Sequence, residues 1–177
     1  PDNSSGTERY YEKRWGPVHL FALNSDQSEP DGYDKASKQA QWLKARLAAS
    51  TAPWKVVYFH HAPYSSCLSH GSKPSMQWSF KEWGASAVLS GHDHTYERII
   101  INGLPYFVNG AGGAPLYKFG TPVAGSQVRY SAEHGAMRVT ATQEMLTLQF
   151  YSTDGTTIQL IDSCILSKAP AARESPN

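Results

Sequence analysis

The sequence predicts an α/β fold, on three observations. Apolar runs suited to strands alternate with helical periodicity over the first ninety residues, in the order strand, helix, strand, helix, strand. After Arg98 the pattern changes, and an Asn-Gly hairpin leads into an antiparallel meander. The chain has 177 residues, 40% of them hydrophobic and 12% aromatic. A chain of that length buries roughly 70% of its unfolded surface, which suits one packed domain rather than disorder.

Each element has its own signal. Residues 1–16 read as a polar leader and lead-in, 17–166 as the folded portion and 167–177 as a frayed tail. Pro17–Leu23, "PVHLFAL", is a mostly apolar run and predicts a strand. Asn24–Tyr33 is a loop by its Asp, Ser, Pro and Gly content. Ala36, Ala40, Leu43 and Leu47 share one face at helical spacing, which predicts a helix over Asp34–Ala49. Trp54–His60, "WKVVYFH", is a continuous run, as in a strand covered on both faces. A short helix is expected near Met76–Trp83, and a short buried strand at Ala87–Leu89. Asn102-Gly103 turns the hairpin, because both residues tolerate positive φ. Ala136–Ala141, Met145–Tyr151 and Thr157–Ile165 read as the meander, with Asp154-Gly155 turning its last pair.

Composition excludes several functions. The net charge is +1 and no Lys/Arg stripe forms, which argues against nucleic acid or a membrane surface as partner. No apolar run approaches the ~20 residues needed to span a bilayer. No signal-peptide core is visible, which leaves room for a signal that was removed or that lies upstream. Cys67 and Cys164 fit no CxxC pattern, leaving one disulfide in an exported protein or two free thiols. "GAGGAP" at Gly110–Pro115 opens no helix and has no Lys-Ser/Thr sequel, which argues against a nucleotide loop. Ser65, Ser66 and Ser72 lack a G-x-S-x-G elbow. The aromatic residues Tyr10, Tyr11, Trp15, Trp54, Trp78 and Trp83 read as packing residues, and His134 as structural. Asn3-Ser4-Ser5 matches a glycosylation acceptor.

The chemistry lies among histidines. Five of the seven, His60, His61, His70, His92 and His94, fall within thirty-five positions, mostly at or beyond the C-terminal ends of predicted strands. Ligands bind at that edge in open α/β sheets. In Gly91-His92-Asp93-His94 the i, i+2 spacing puts two imidazoles on one side of an extended segment. Strand neighbours face opposite ways, so at most one of His60 and His61 is expected in a given site. Taken singly, each pair reads more readily as solvated or core histidine than as a metal site.

Together, "HHAPYSSCLSHGS", "GHDHTYER" and "YFVNGAGG" resemble the calcineurin-like metallophosphoesterases, in their purple-acid-phosphatase-like branch. "RYYEKRWGPVHLFALNSD" is similar to the segment that leads up to that family's helix. The resemblance runs from about Tyr10 to Ile165 and implies the C-terminal portion of a four-layer αββα sandwich ending in the meander. It also implies phosphoric-ester hydrolysis, with a bridging hydroxide attacking phosphorus at two divalent or trivalent metal ions such as Fe, Zn or Mn. His61 and His92 would ligate one metal and His94 the other, with Asp93 a loop hydrogen bonder. His70 would face the phosphate, stabilising charge or protonating the leaving oxygen, or else be an exposed loop residue. The substrate would be a phosphate-ester small molecule, and the compartment secreted or periplasmic.

The family's DxH or DxG, GDxx(D/Y) and GNHE segments have no counterpart in this sequence. Three neutral histidines leave two cations without an anionic ligand, so the chain alone is expected to be weak or inactive. Three explanations stand: a missing N-terminal half, a partner chain that completes the fold, or a truncated relative. An uncovered sheet edge would also invite a homo-oligomer. Two further readings are a non-catalytic assembly module with one His-rich cation site, and a mononuclear zinc hydrolase using His61, His92 and His94.

Overall fold

The structure is a computed structural model that describes residues 5–168. Asn3 and Ser4 of the glycosylation acceptor, and the tail beyond Lys168, lie outside the described residues. The described residues form ten strands and one α-helix: β1 (Tyr11–Trp15), β2 (Val18–Ala22), α1 (Lys38–Ala49), β3 (Trp54–Tyr58), β4 (Ala87–Ser90), β5 (Tyr96–Ile101), β6 (Leu104–Asn109), β7 (Ser126–Tyr130), β8 (His134–Ala141), β9 (Met145–Thr153) and β10 (Ile158–Ser167). The first seven strands make one mixed sheet in the order β1-β2-β3-β4-β6-β5-β7, and β10-β9-β8 make a second, antiparallel sheet. Within the large sheet β2, β3, β4 and β6 run parallel.

Two apolar clusters hold three layers together. On one face, Ala40, Leu43 and Leu47 of α1 belong to the same buried cluster as Phe21, Val57, Val88 and Ile99 of the sheet. On the other face, Leu146, Leu148 and Phe150 of β9 join Val56, Ala87, Tyr96 and Phe107. These are the helix–sheet–sheet layers expected of the C-terminal portion of an αββα sandwich. Asp162, on β10, bolts the two sheets by accepting from Tyr96 Oη at 2.7 Å and from Arg98 Nε and Nη2 at 2.7 and 3.0 Å.

The helix starts at Lys38 rather than Asp34. Ser37 is the cap, its side chain accepting from the Ala40 N–H, whereas Asp34 closes a preceding turn by accepting from Ala36. The helix expected near Met76–Trp83 is one 3₁₀ turn, Pro74–Met76, followed by turns. Burial there alternates through Met76, Trp78 and Phe80, the period of extended chain. The Asn102-Gly103 hairpin forms with φ of 51° and 76°, the doubly positive turn that this pair favours. The meander forms with slightly longer strands.

Two strands lie where none was expected. Residues 11–15, assigned to the lead-in, form β1, which folds back on β2 through Gly16 at φ 54°. Trp15 at its end is 77% exposed, so it is no packing residue. β7, "SQVRY", is the opposite edge and is mostly polar. Cys67 and Cys164 are both buried free thiols, so no disulfide joins them.

Candidate metal centre

Four parallel strands deliver the site. Beyond the C-terminal end of β2 comes Ser25, beyond β3 come His60 and His61, beyond β4 comes Gly91–His94, and beyond β6 comes Gly110. Neighbouring parallel strands end on the same edge, so chain-distant residues meet there. The Gly91 N–H donates to His60 O at 3.0 Å and the His61 N–H to Ser25 Oγ at 3.0 Å, stitching the loops together.

His61 and His92 are brought together, with ring centroids 4.4 Å apart. His60 joins them: its Nε2 lies 2.9 Å from His92 Nδ1. One ring nitrogen from each of the three lies within 4.8 Å of the others, the one such group among the described residues. The expectation that only one of His60 and His61 enters the site is therefore corrected. β3 ends at Tyr58, so strand alternation has ceased by residue 60. His92 holds a left-handed φ of 65°, uncommon for a residue with a Cβ and a strained feature of the kind that collects at functional sites.

His70 packs its ring on His92, centroids 3.9 Å apart and tilted by 33°. His94 stands apart from the trio, stacked on Tyr117 at 4.2 Å and 18°. Its Nδ1 lies 3.0 Å from Pro115 O. A carbonyl only accepts, so in the neutral ring Nδ1 carries the proton and Nε2 keeps its lone pair. The mononuclear trio His61, His92 and His94 is thus not the trio that the structure gathers.

The rings suit a cation. Burial pushes His92 down to about 4, with His70, His61 and His60 adding to the effect. Burial likewise lowers His61, next to His60 and Lys73. Both are neutral at pH 7, the form that ligates metal. Ser25 Oγ lies 2.9 Å from His61 Nδ1, and the tautomer that donates Nδ1–H to it leaves Nε2 free. Metal-binding histidines commonly carry such an outer partner on the second nitrogen.

Asp93 is engaged by the neighbouring loop. It is fully buried and accepts from Ser65 Oγ at 2.6 Å and from the His70 and Gly71 N–H groups at 3.2 and 3.1 Å. It therefore ties the His70 loop to the His92–His94 loop. Glu97, also fully buried, does similar work by accepting from Ser66 N–H and Oγ and from Ser126 Oγ. Ser72 Oγ accepts from the Ser65 N–H. His134 is exposed and donates Nε2–H to Ala114 O. Sequence reasoning missed His60, Ser25 and Gly110 as contributors. No local signal marked Ser25; the parallel order of β2, β3 and β4 in the folded sheet is what puts the residues after each strand side by side.

The sequence pattern of the calcineurin-like phosphoesterases matches residues 4–96. The chain belongs to this family. Among curated proteins, this phosphoesterase chain is 34% identical over 108 residues to purple acid phosphatase 15 of Arabidopsis thaliana, covering 55% of the chain and 20% of the relative. It is 30% identical over 95 residues to human tartrate-resistant acid phosphatase type 5, covering 51% and 29%. The matched region thus spans less than a third of either relative. In fold it resembles the purple acid phosphatase PPD1 of yellow lupin, with TM-score 0.75 and 21% identity over 89% of this chain and 32% of that one. Metal use and phosphoester hydrolysis are the chemistry implied by the family.

Proposed function

We propose that this chain supplies the histidine side of a two-metal centre that hydrolyses phosphate esters of small molecules. The observation that carries the reading is the convergence of His61 and His92 at the strand ends, with His94 held apart and its Nε2 lone pair free. In this reading His61 and His92 hold one metal and His94 the other. Metal ions of the Fe, Zn or Mn kind would polarise a phosphoryl oxygen and lower the pKa of a bound water. In the same reading His70, whose ring packs against His92, would face the phosphate and hold or deliver a proton at the leaving oxygen. Asp93 keeps His70 and the His92–His94 loop in register.

Among the described residues no carboxylate joins the histidine group. In this reading the anionic ligands would be supplied from outside these residues, by a longer form of the protein or by a partner chain. A secreted or periplasmic setting is part of the same proposal; no helix among the described residues is long and apolar enough to cross a membrane.

The test is hydrolysis of p-nitrophenyl phosphate in Fe, Zn and Mn, by this chain alone and by any longer product of its gene. Metal-dependent turnover by the longer protein, lost in His92→Ala, is expected, with little from the 177-residue chain. Fast turnover by that chain alone would overturn the incompleteness, and a longer protein that is inactive in every metal would overturn the phosphatase reading.

A further inference from the structure

We propose that His60 is a metal ligand, so that His60, His61 and His92 together hold one divalent transition-metal ion on this chain, without His94. The inference rests on the reading of His61 and His92 as ligands and adds a third nitrogen that the family comparison did not supply.

The geometry argues for it in three ways. His60 Nε2 and His92 Nδ1 face each other at 2.9 Å. Zinc–nitrogen bonds are about 2.0–2.1 Å long, so two nitrogens at that separation subtend about 90° at a shared ion. A tetrahedral ion asks for a separation of about 3.3 Å, which a small ring rotation provides. The backbone on either side is fixed from different strands, with Gly91 N–H on His60 O and His61 N–H on Ser25 Oγ. That double anchor directs two consecutive side chains to one point, which a regular strand cannot do. Finally, the left-handed backbone of His92 is a conformational cost at the residue whose ring touches His60, His61 and His70.

His70 meets His92 face on, and it is not one of the three. All three donors are imidazoles, a set that suits zinc, cobalt, nickel or copper and not magnesium or calcium. His60 is exposed, so the ion would sit at the surface with positions open to water or an anionic ligand. The rival role for His60 is a plain hydrogen bond to His92.

The experiment titrates the purified 177-residue chain with cobalt(II) and zinc(II), followed by the visible cobalt absorption and by calorimetry. Wild type, His60→Ala, His60→Asn and His94→Ala are compared, with folding checked by circular dichroism. One ion per chain is expected in the wild type. Loss of an outer partner costs about 10–100-fold in affinity, so loss of a direct nitrogen should weaken binding by at least about tenfold in both His60 variants and alter the cobalt band. His94→Ala should stay within about twofold of wild type, since no nitrogen of the trio is removed. Wild-type affinity and spectrum in both His60 variants would overturn the inference and leave His61 and His92 as ligands. A His94→Ala loss equal to that of His60→Ala would overturn the independence from His94. Absence of any binding by the wild type would also overturn the inference, since the trio is proposed to hold an ion on this chain, and would leave His61 and His92 in the complete centre to the hydrolysis test on the longer protein.

Discussion

Gly110 offers a sharp test of how the histidine loop is held. A Cβ built there would lie 2.1 Å from Asp93 O, 3.0 Å from Asp93 C and 3.5 Å from His94 Cα. Ordinary contacts begin near 3.4 Å, so Gly110→Ala requires a retreat of about 1.3 Å by backbone and not by a flexible side chain. That backbone is committed: Gly110 N–H donates to Thr95 O, Thr95 N–H to Asp93 O, and Tyr117 N–H to His94 O. Overpacking of this kind costs about 1–3 kcal/mol. With a urea slope of about 1–3 kcal/mol per molar, the unfolding midpoint should fall by roughly 1 M. Gly112 provides the control in the same loop, because nothing lies within 4 Å of its added Cβ. Gly112→Ala should be neutral or stabilising by under about 1 kcal/mol. The assay is equilibrium urea unfolding of the three proteins, with the cobalt titration repeated on each. A Gly110→Ala midpoint equal to wild type would refute the claim that this glycine sets the position of the Asp93–His94 backbone.

Three other substitutions have defined outcomes. Ser25→Ala removes the hydroxyl 2.9 Å from His61 Nδ1 and should weaken metal affinity about 10–100-fold, with recovery in Ser25→Thr; calorimetry that finds no change would rule out the orienting role. Asp162→Ala strands Arg98 and the Tyr96 hydroxyl between the sheets, and broken buried pairs cost about 3–5 kcal/mol. Because Arg98 keeps 19% of its side-chain exposure, the lower end is expected, and a thermal midpoint within a degree or so of wild type would contradict it. His19 is buried between Glu12 and Ser50, and burial lowers its pKa despite Glu12, with Arg14, Arg46 and Lys55 pushing the same way as burial. As pH falls below about 6.5 the unfolded chain takes up this proton first, so the stability contribution is full above that pH and lost below it. His19→Gln should therefore flatten the loss of stability between pH 7 and 5, and identical slopes in denaturant titrations would count against the assignment.

Helix α1, strands β2 to β6 and the meander were legible because each carries a period or a turn signal that packing then reinforces. Leu43 and Leu47 are fully buried on the predicted face, and Asn102-Gly103 turns as its chemistry requires. β1 and β7 were not legible, since edge strands pair on one side only and carry the polar residues that discourage further pairing. His61, His92 and His94 were singled out through the family resemblance of their flanking segments, since the spacing of each pair alone was a weak signal. His60 was obscured by applying strand alternation two residues past the strand's end. Ser25 and Gly110 were invisible for a different reason: a serine and a glycine bear no mark of metal chemistry until neighbouring strand ends are known. The strand order that brings them in is a property of the whole sheet and of no local window.

The stitching of strand ends bears on when the site comes into being. Ser25 and His61 are 36 positions apart, and His60 and His92 are 32 apart. No local segment can preform such a cluster, and contacts this distant in sequence form only after the loops between them have closed. The unfolded chain therefore has no comparable cluster with which to compete for an ion. An ion that binds only the folded form adds about 2.7 kcal/mol of stability at a hundred times its dissociation constant. The histidine edge would then act as a latch that fastens after the parallel strands have been laid side by side, and ion occupancy would count the finished molecules in a sample.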